Sequence, residues 1–249
     1  MQRINRHGQA IGDPVPGWRA PGHPPKQSIC GTYCRLEPLD PARHAEELFG
    51  ANAADPGGKN WTYLPYGPFP DPDEYREWLD SVAAGDDPQF YAIIDQRDGQ
   101  AAGLASYLRI TPATGSIEVG HLHFSERLKH TAAATEAMYL MMAHAFDLGY
   151  RRYEWKCDAL NAGSCRAAER LGLSYEGTFR QHTVYKGRNR DTAWFAAVDA
   201  DWPALREAFV GWLEPGNFDP DGIQRRSLGE FTRPLLASSQ GHATRTATD

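Results

Sequence analysis

The chain reads as an α/β protein, and three stretches say so. Residues 116–124 (SIEVGHLHF) form a strand-like segment, residues 125–131 (SERLKHT) make a short basic loop, and an alanine-rich helix opens at Ala132. That helix stops at Asp147-Leu148-Gly149, and Tyr150–Cys157 alternates as a second strand. Two hairpin patterns flank the unit: Phe90–Asp95 with Ala101–Ile110 around Asp98-Gly99, and Ser174–His182 with Asp191–Val198 around Lys186–Asn189.

The remaining elements follow in order. Residues 1–28 carry five prolines among glycines and polar residues, which excludes a helix interior or central strand and leaves an arm or a disordered segment. Ile29–Leu39 reads as a first strand, and Pro41–Phe49 as a first helix with Asp40 as N-cap and Pro41 at N1. Residues 51–72 interleave Trp61, Tyr63, Tyr66 and Phe69 with Gly and Pro, the composition of either a lid over a ligand or a packed loop. Asp73–Val82 is a short helix with Tyr75, Trp78, Leu79 and Val82 on one face. A short helix ends at Arg170-Leu171-Gly172-Leu173, and Asp201-Trp202-Pro203 starts another that runs to about Trp212. The boundaries expected are an arm over 1–28, a principal domain over 29–200, a helical extension over 201–232 and a disordered polar tail over 233–249.

A strand that turns through a loop into a helix start is an anion site in waiting. First-turn amides lack intrahelical partners, and the helix dipole favours negative charge there. Thr131 is the N-cap, Ala132 to Ala134 are small enough for a ligand to approach the backbone, and Arg127, Lys129 and His130 add positive charge. With AATEA (133–137), LGYRRYEWKCDALNAGS (148–164), RLGL (170–173) and EGTFRQ (176–181), the chain resembles the GNAT superfamily of acetyl-CoA-dependent N-acetyltransferases. The likeness covers roughly residues 29–200 and is strongest to the ribosomal-protein N-terminal acetylase (Rim-like) branch.

The resemblance implies a mixed, mostly antiparallel central sheet, splayed at the acetyl-CoA site and flanked by helices. It implies that Arg127, Lys129, His130, Thr131 and Ala132 hold the diphosphate of acetyl-CoA, the co-substrate, with no metal. In the family a glycine usually stands where this chain has His130. A negative φ is expected there, with the side chain turned away. The resemblance further places the thioester against backbone amides near Leu122, His123 and Phe124, and puts the aromatic loop 51–72 at the acceptor pocket. Asn161 and Ser164 match the family's Asn-x-x-Ser, in which Asn bonds the pantetheine arm and Ser sits near the sulfur. Helix capping by Asn161 is chemically just as natural.

Acetyl transfer to an amine needs a neutral amine, a donor for the carbonyl oxygen and a proton for the departing thiolate. Glu118, the one carboxylate in the 116–125 strand, is the candidate base, and Ser164 the candidate proton donor. His121 and His123 are alternative bases that share a strand face unless a bulge intervenes. Neither Cys157 nor Cys165 has an activating base nearby in sequence, which argues against a covalent intermediate. The resemblance implies direct attack in a ternary complex.

Composition bounds the partners. A formal net charge of −6 argues against nonspecific nucleic-acid binding and suits a cationic acceptor mildly. No apolar run reaches membrane-span length, the N-terminus has no apolar signal core, and four cysteines make no zinc pattern. The expectation is a cytoplasmic N-acetyltransferase acting on a small-molecule amine or a protein N-terminus. No nucleic-acid or membrane partner is expected, and a homodimer is an option. The alternative is a non-catalytic acyl-CoA-binding module.

Overall fold

The computed structural model describes residues 3–243, with side chains through residue 236. A small hairpin of β1 (Arg3–Ile4) and β2 (Ala10–Ile11) precedes the proline-rich arm. The arm lies along the body: Pro21 and Pro24 are buried, Tyr150 Oη donates to the Gly22 carbonyl at 3.1 Å, and Lys26 pairs with Asp86 at 3.0 Å. Then follow β3 (Ile29–Cys30), β4 (Cys34–Pro38), α1 (Pro41–Asn52), α2 (Pro72–Ala83), β5 (Gln89–Asp95), β6 (Ala101–Thr111) and β7 (Ser116–Phe124). The rest of the chain is α3 (Ala132–Asp147), β8 (Arg152–Asp158), α4 (Ala162–Arg170), β9 (Ser174–Tyr185), β10 (Arg188–Val198), α5 (Trp202–Leu213) and α6 (Leu228–Ala243).

Eight strands form one sheet in the order β3-β4-β5-β6-β7-β8-β10-β9, antiparallel at every step except β7 with β8. That parallel pair is short. It joins Ser116–Val119 to Arg152–Trp155 and then ends, so the two strands part where β7 continues to Phe124. One core lies under α3 and α5, built on Ile117, Val119, Met141, Tyr153 and Phe209. The other lies under α1 and α2, on Leu48, Trp61, Tyr75, Leu79 and Leu104. Each fully buried side chain of this kind contributes about 1.5–3 kcal/mol of transfer free energy.

Local chemistry sets the helix starts. Asp40 Oδ1 accepts from Ala42 N at 3.0 Å, Asp71 Oδ1 from Asp73 N and Glu74 N at 2.9 Å, and Thr131 Oγ1 from Ala134 N at 3.1 Å. Tertiary contact overrides the pattern in two places. The first strand, expected as one run over 29–39, is broken at Gly31–Tyr33. There the buried Glu136 carboxylate of α3 accepts the amides of Thr32, Tyr33 and Cys34 at 2.8, 2.6 and 2.7 Å. The expected disordered tail over 233–249 is helical as far as Ala243, as the end of α6, while 244–249 lie outside the described residues.

The aromatic loop is a packed layer. Trp61 is 4% exposed and meets Tyr66, Phe69, Tyr75 and Trp78 edge-to-face at 5.4–6.3 Å between centroids. Lys186, in the turn between β9 and β10, pins this layer by donating to the carbonyls of Trp61 (2.8 Å) and Gly67 (3.0 Å).

Candidate active site

The parting of β7 and β8 opens a cleft of about 730 Å³. Leu122, His123 and Phe124 of β7 line its inner end, Lys129 to Ala132 its flank, and Trp155, Asn161 and Ser164 the side of β8 and α4. Ser125 donates its amide to Ala102 on β6 at 3.1 Å. Strand amides alternate in direction, so the amide of Phe124 turns to the edge that β8 has left. A backbone donor at an open strand edge suits an oxygen that gains negative charge.

The loop into α3 departs from the expectation at His130. His130 has φ +61°, the left-handed conformation, and not the negative value read from the sequence. It therefore adopts the backbone geometry that a glycine takes readily, and the residue lines the cleft. Thr131 caps Ala134, which leaves the first-turn amides of Ala132 and Ala133 ahead of the helical ladder and available to an anion.

The charges are distributed differently from the reading of the loop. Arg127 Nη1 pairs with Asp98 and its Nη2 donates to the Ala101 carbonyl at 2.9 Å, and the residue does not line the cleft. Lys129 lines the cleft, but its ammonium is held by Glu126 at 2.9 Å and by Asn60 Oδ1. Among the described residues, the cleft cations with no carboxylate partner are Arg166 and Arg170 of α4, which sequence reasoning missed. Their i,i+4 spacing on a short helix was the available signal.

Of the two readings of Asn161 the structure shows the cap, and it sets Asn161 and Ser164 on the cleft. Asn161 Oδ1 caps α4 by accepting from Ser164 N at 3.1 Å, and both residues line the cleft. Trp155 Nε1 donates to Ser164 Oγ at 2.9 Å, and the serine hydroxyl also bonds the neighbouring Cys157 sulfur. Cys157 lies 3.6 Å from Cys165, sulfur to sulfur, and burial pushes its thiol up to about 12. A thiol so poorly ionised is no nucleophile at neutral pH.

The candidate bases separate clearly. Glu118 is 3% exposed, outside the cleft lining, and ion-paired to Arg109 at 2.8 Å and to the buried Lys156 at 2.9 Å. Burial raises its pKa against the pull of those two cations. Lys156 also pairs with Glu154 at 2.7 Å and sits 3.8 Å from the Trp194 ring centroid. His121 and His123 are split by a bulge: β7 has one more residue than β6 between the pairs Leu104–His123 and Ser106–Gly120, and His121 has φ +50°. Both rings nonetheless meet the aromatic loop. His121 Nδ1 lies 2.9 Å from Tyr66 Oη, and His123 stacks on Trp61 at 3.8 Å. Burial lowers both to about 4, so both are neutral at physiological pH. His123 lines the cleft, and its Nε2 is buried without a partner. An orphaned ring nitrogen beside an open donor edge is an anomaly that a bound group would resolve.

Among the described residues no group of three or more His, Cys, Asp or Glu could hold a metal ion, and no helix is long and apolar enough to cross a membrane.

The acetyltransferase (GNAT) domain family matches residues 34–174. A GCN5-related N-acetyltransferase from Brucella melitensis is 45% identical with a TM-score of 0.86, over 88% of this chain and 100% of that one. A probable acetyltransferase of the GNAT family from Chromobacterium violaceum is 43% identical with a TM-score of 0.73, over 78% and 97%. RimL, a ribosomal L7/L12 alpha-N-protein acetyltransferase, shares the fold at 21% identity and a TM-score of 0.59, over 69% and 93%. The Rim-like branch is thus among the structural neighbours, while the two general GNAT proteins are more similar. No curated protein matches the sequence. With a domain match over more than half its length and the parted β7–β8 pair beside a capped α3, the chain belongs to the GNAT acetyltransferase family, which uses acetyl-CoA as co-substrate.

Proposed function

We propose that the protein moves an acetyl group from acetyl-CoA to a primary amine, of a small molecule or a protein N-terminus, by direct attack in a ternary complex. The observation that carries this reading is the cleft between β7 and β8. It sets an unengaged strand amide, an orphaned imidazole nitrogen and a serine hydroxyl around one opening. The neutral amine attacks the thioester carbon, and the Phe124 amide stabilises the oxyanion. His123 Nε2 accepts the proton lost by the nitrogen, directly or through water. The carbon–sulfur bond then breaks, the Ser164 hydroxyl donates its proton to the leaving sulfur, and the proton taken up by His123 returns to Ser164 through water.

In this reading Glu118 is a positioning residue. Its carboxylate is already engaged by Arg109 and Lys156, and it orders the floor of the sheet beside Gly120. Cys157 and Cys165 stay thiols and take no part.

The test is thiol release. The protein is incubated with acetyl-CoA and a panel of amines and peptides, and free CoA is followed. Acceptor-dependent CoA release that falls with His123→Phe supports the reading. Binding of CoA without release for any amine would favour the acyl-CoA-binding alternative, which the ion-paired state of Arg127, Lys129 and Glu118 keeps open.

A further inference from the structure

The family's matched residues end at 174, yet part of the cleft is built by the chain well beyond them. Trp212, Phe218, Gly222, Ile223 and Gln224 line it together with Arg166 and Arg170 of α4. This C-terminal loop is fixed in shape. Asn217 is buried, its Nδ2 donates to the carbonyls of Trp212 (2.9 Å) and Arg226 (3.2 Å), and its Oδ1 accepts from Arg226 N at 3.0 Å. Asp219 Oδ1 accepts from Asp221 N and Ile223 N at 3.0 and 2.8 Å.

Two side chains on this rigid loop are left facing a task. Ile223 is 64% exposed, an apolar group held at the rim of a polar opening. Gln224 Oε1 accepts from Trp212 Nε1 at 2.9 Å, which orients the amide and leaves its two N–H donors free. Nearby, Arg166 and Arg170 have no carboxylate partner among the described residues, and Arg170 is steadied by a 3.0 Å bond to Thr135 Oγ1.

We propose that the C-terminal loop 217–225 is the wall that receives the adenosine 3′-phosphate half of the cofactor, a role that rests on the acetyl-CoA reading above. The acetyl end is assigned to Leu122–Phe124 and the diphosphate to the start of α3. What remains of the molecule is a flat base, a ribose and a phosphate dianion. The remaining lining supplies an apolar surface in Ile223, oriented donors for ring nitrogens in Gln224, and two unpaired guanidiniums for the phosphate. The extension is thus part of the binding site and not an appendage to it.

The experiment is calorimetric titration of the full chain with CoA, dephospho-CoA and 4′-phosphopantetheine, the last lacking the whole adenosine. Wild type is expected to bind CoA at least about tenfold tighter than phosphopantetheine. Ile223→Asp and Gln224→Ala are expected to weaken CoA by about five- to tenfold and to leave phosphopantetheine unchanged. Arg170→Ala is expected to weaken CoA while leaving dephospho-CoA unchanged. The proposal is overturned if wild type does not distinguish CoA from phosphopantetheine, if the loop variants change neither ligand, or if they weaken both equally. A wild-type protein that binds none of the three overturns the acetyl-CoA reading itself, which is a different result.

Discussion

Replacing His123 by Phe keeps a ring against Trp61 and removes the nitrogen that the proposed mechanism needs. The structure sets the size of the effect in two independent measurements. A histidine that titrates at 6.5 when unfolded and at about 4 when buried gains its proton mainly on unfolding. Its depressed value therefore contributes stability above pH 6.5 that is lost as pH falls towards 4. Between pH 7 and pH 5 that loss is about 2 kcal/mol for His123 and the same for His121. His144, lowered by burial, adds in the same direction. The depressed carboxylates Glu37 and Glu154 lose their contribution only below about pH 4.5, and the raised Glu118 works in the opposite sense. The difference between wild type and His123→Phe cancels these shared contributions. Urea unfolding at pH 7, 6 and 5 should show the variant losing about 2 kcal/mol less than wild type across the range. Single-turnover transfer should fall by about 10²-fold or more, with CoA affinity unchanged. A variant with the wild-type pH slope and wild-type turnover would refute both the buried neutral imidazole and its role as base.

Three further outcomes follow from the same geometry. Glu118→Gln can still bond Arg109 and leaves Lys156 with Glu154, so kcat should fall by less than about tenfold, well short of the His123 loss, in the same assay. Arg127→Ala should leave CoA affinity within about twofold by calorimetry, because its guanidinium is occupied by Asp98 and the Ala101 carbonyl outside the cleft. Glu136→Ala strips the acceptor from three amides and should cost about 2–4 kcal/mol in urea unfolding at unchanged m-value, the exposure of Thr32 softening the loss.

Local chemistry was legible in the sequence, because capping and strand alternation act over a few residues. Asp40, Thr131 and Asn161 were readable as caps, and each accepts the amide its position requires. The strand–loop–helix unit around α3 and the two hairpins were likewise plain from period and turn residues, and with the family motifs they placed the cleft. What the sequence could not decide was which charge meets which. Arg127 and Lys129 looked like free cations until the fold brought Asp98 and Glu126 to them, and Glu118 looked like a free base until Arg109 and Lys156 closed on it. The bulge at His121 and the left-handed turn at His130 are likewise set by pairing and packing across the sheet, not by the residues themselves. Periodicity carries information over a few residues. Hydrogen bonds and cleft walls join positions more than a hundred residues apart, as Glu136 joins Thr32, and only the folded chain brings them together.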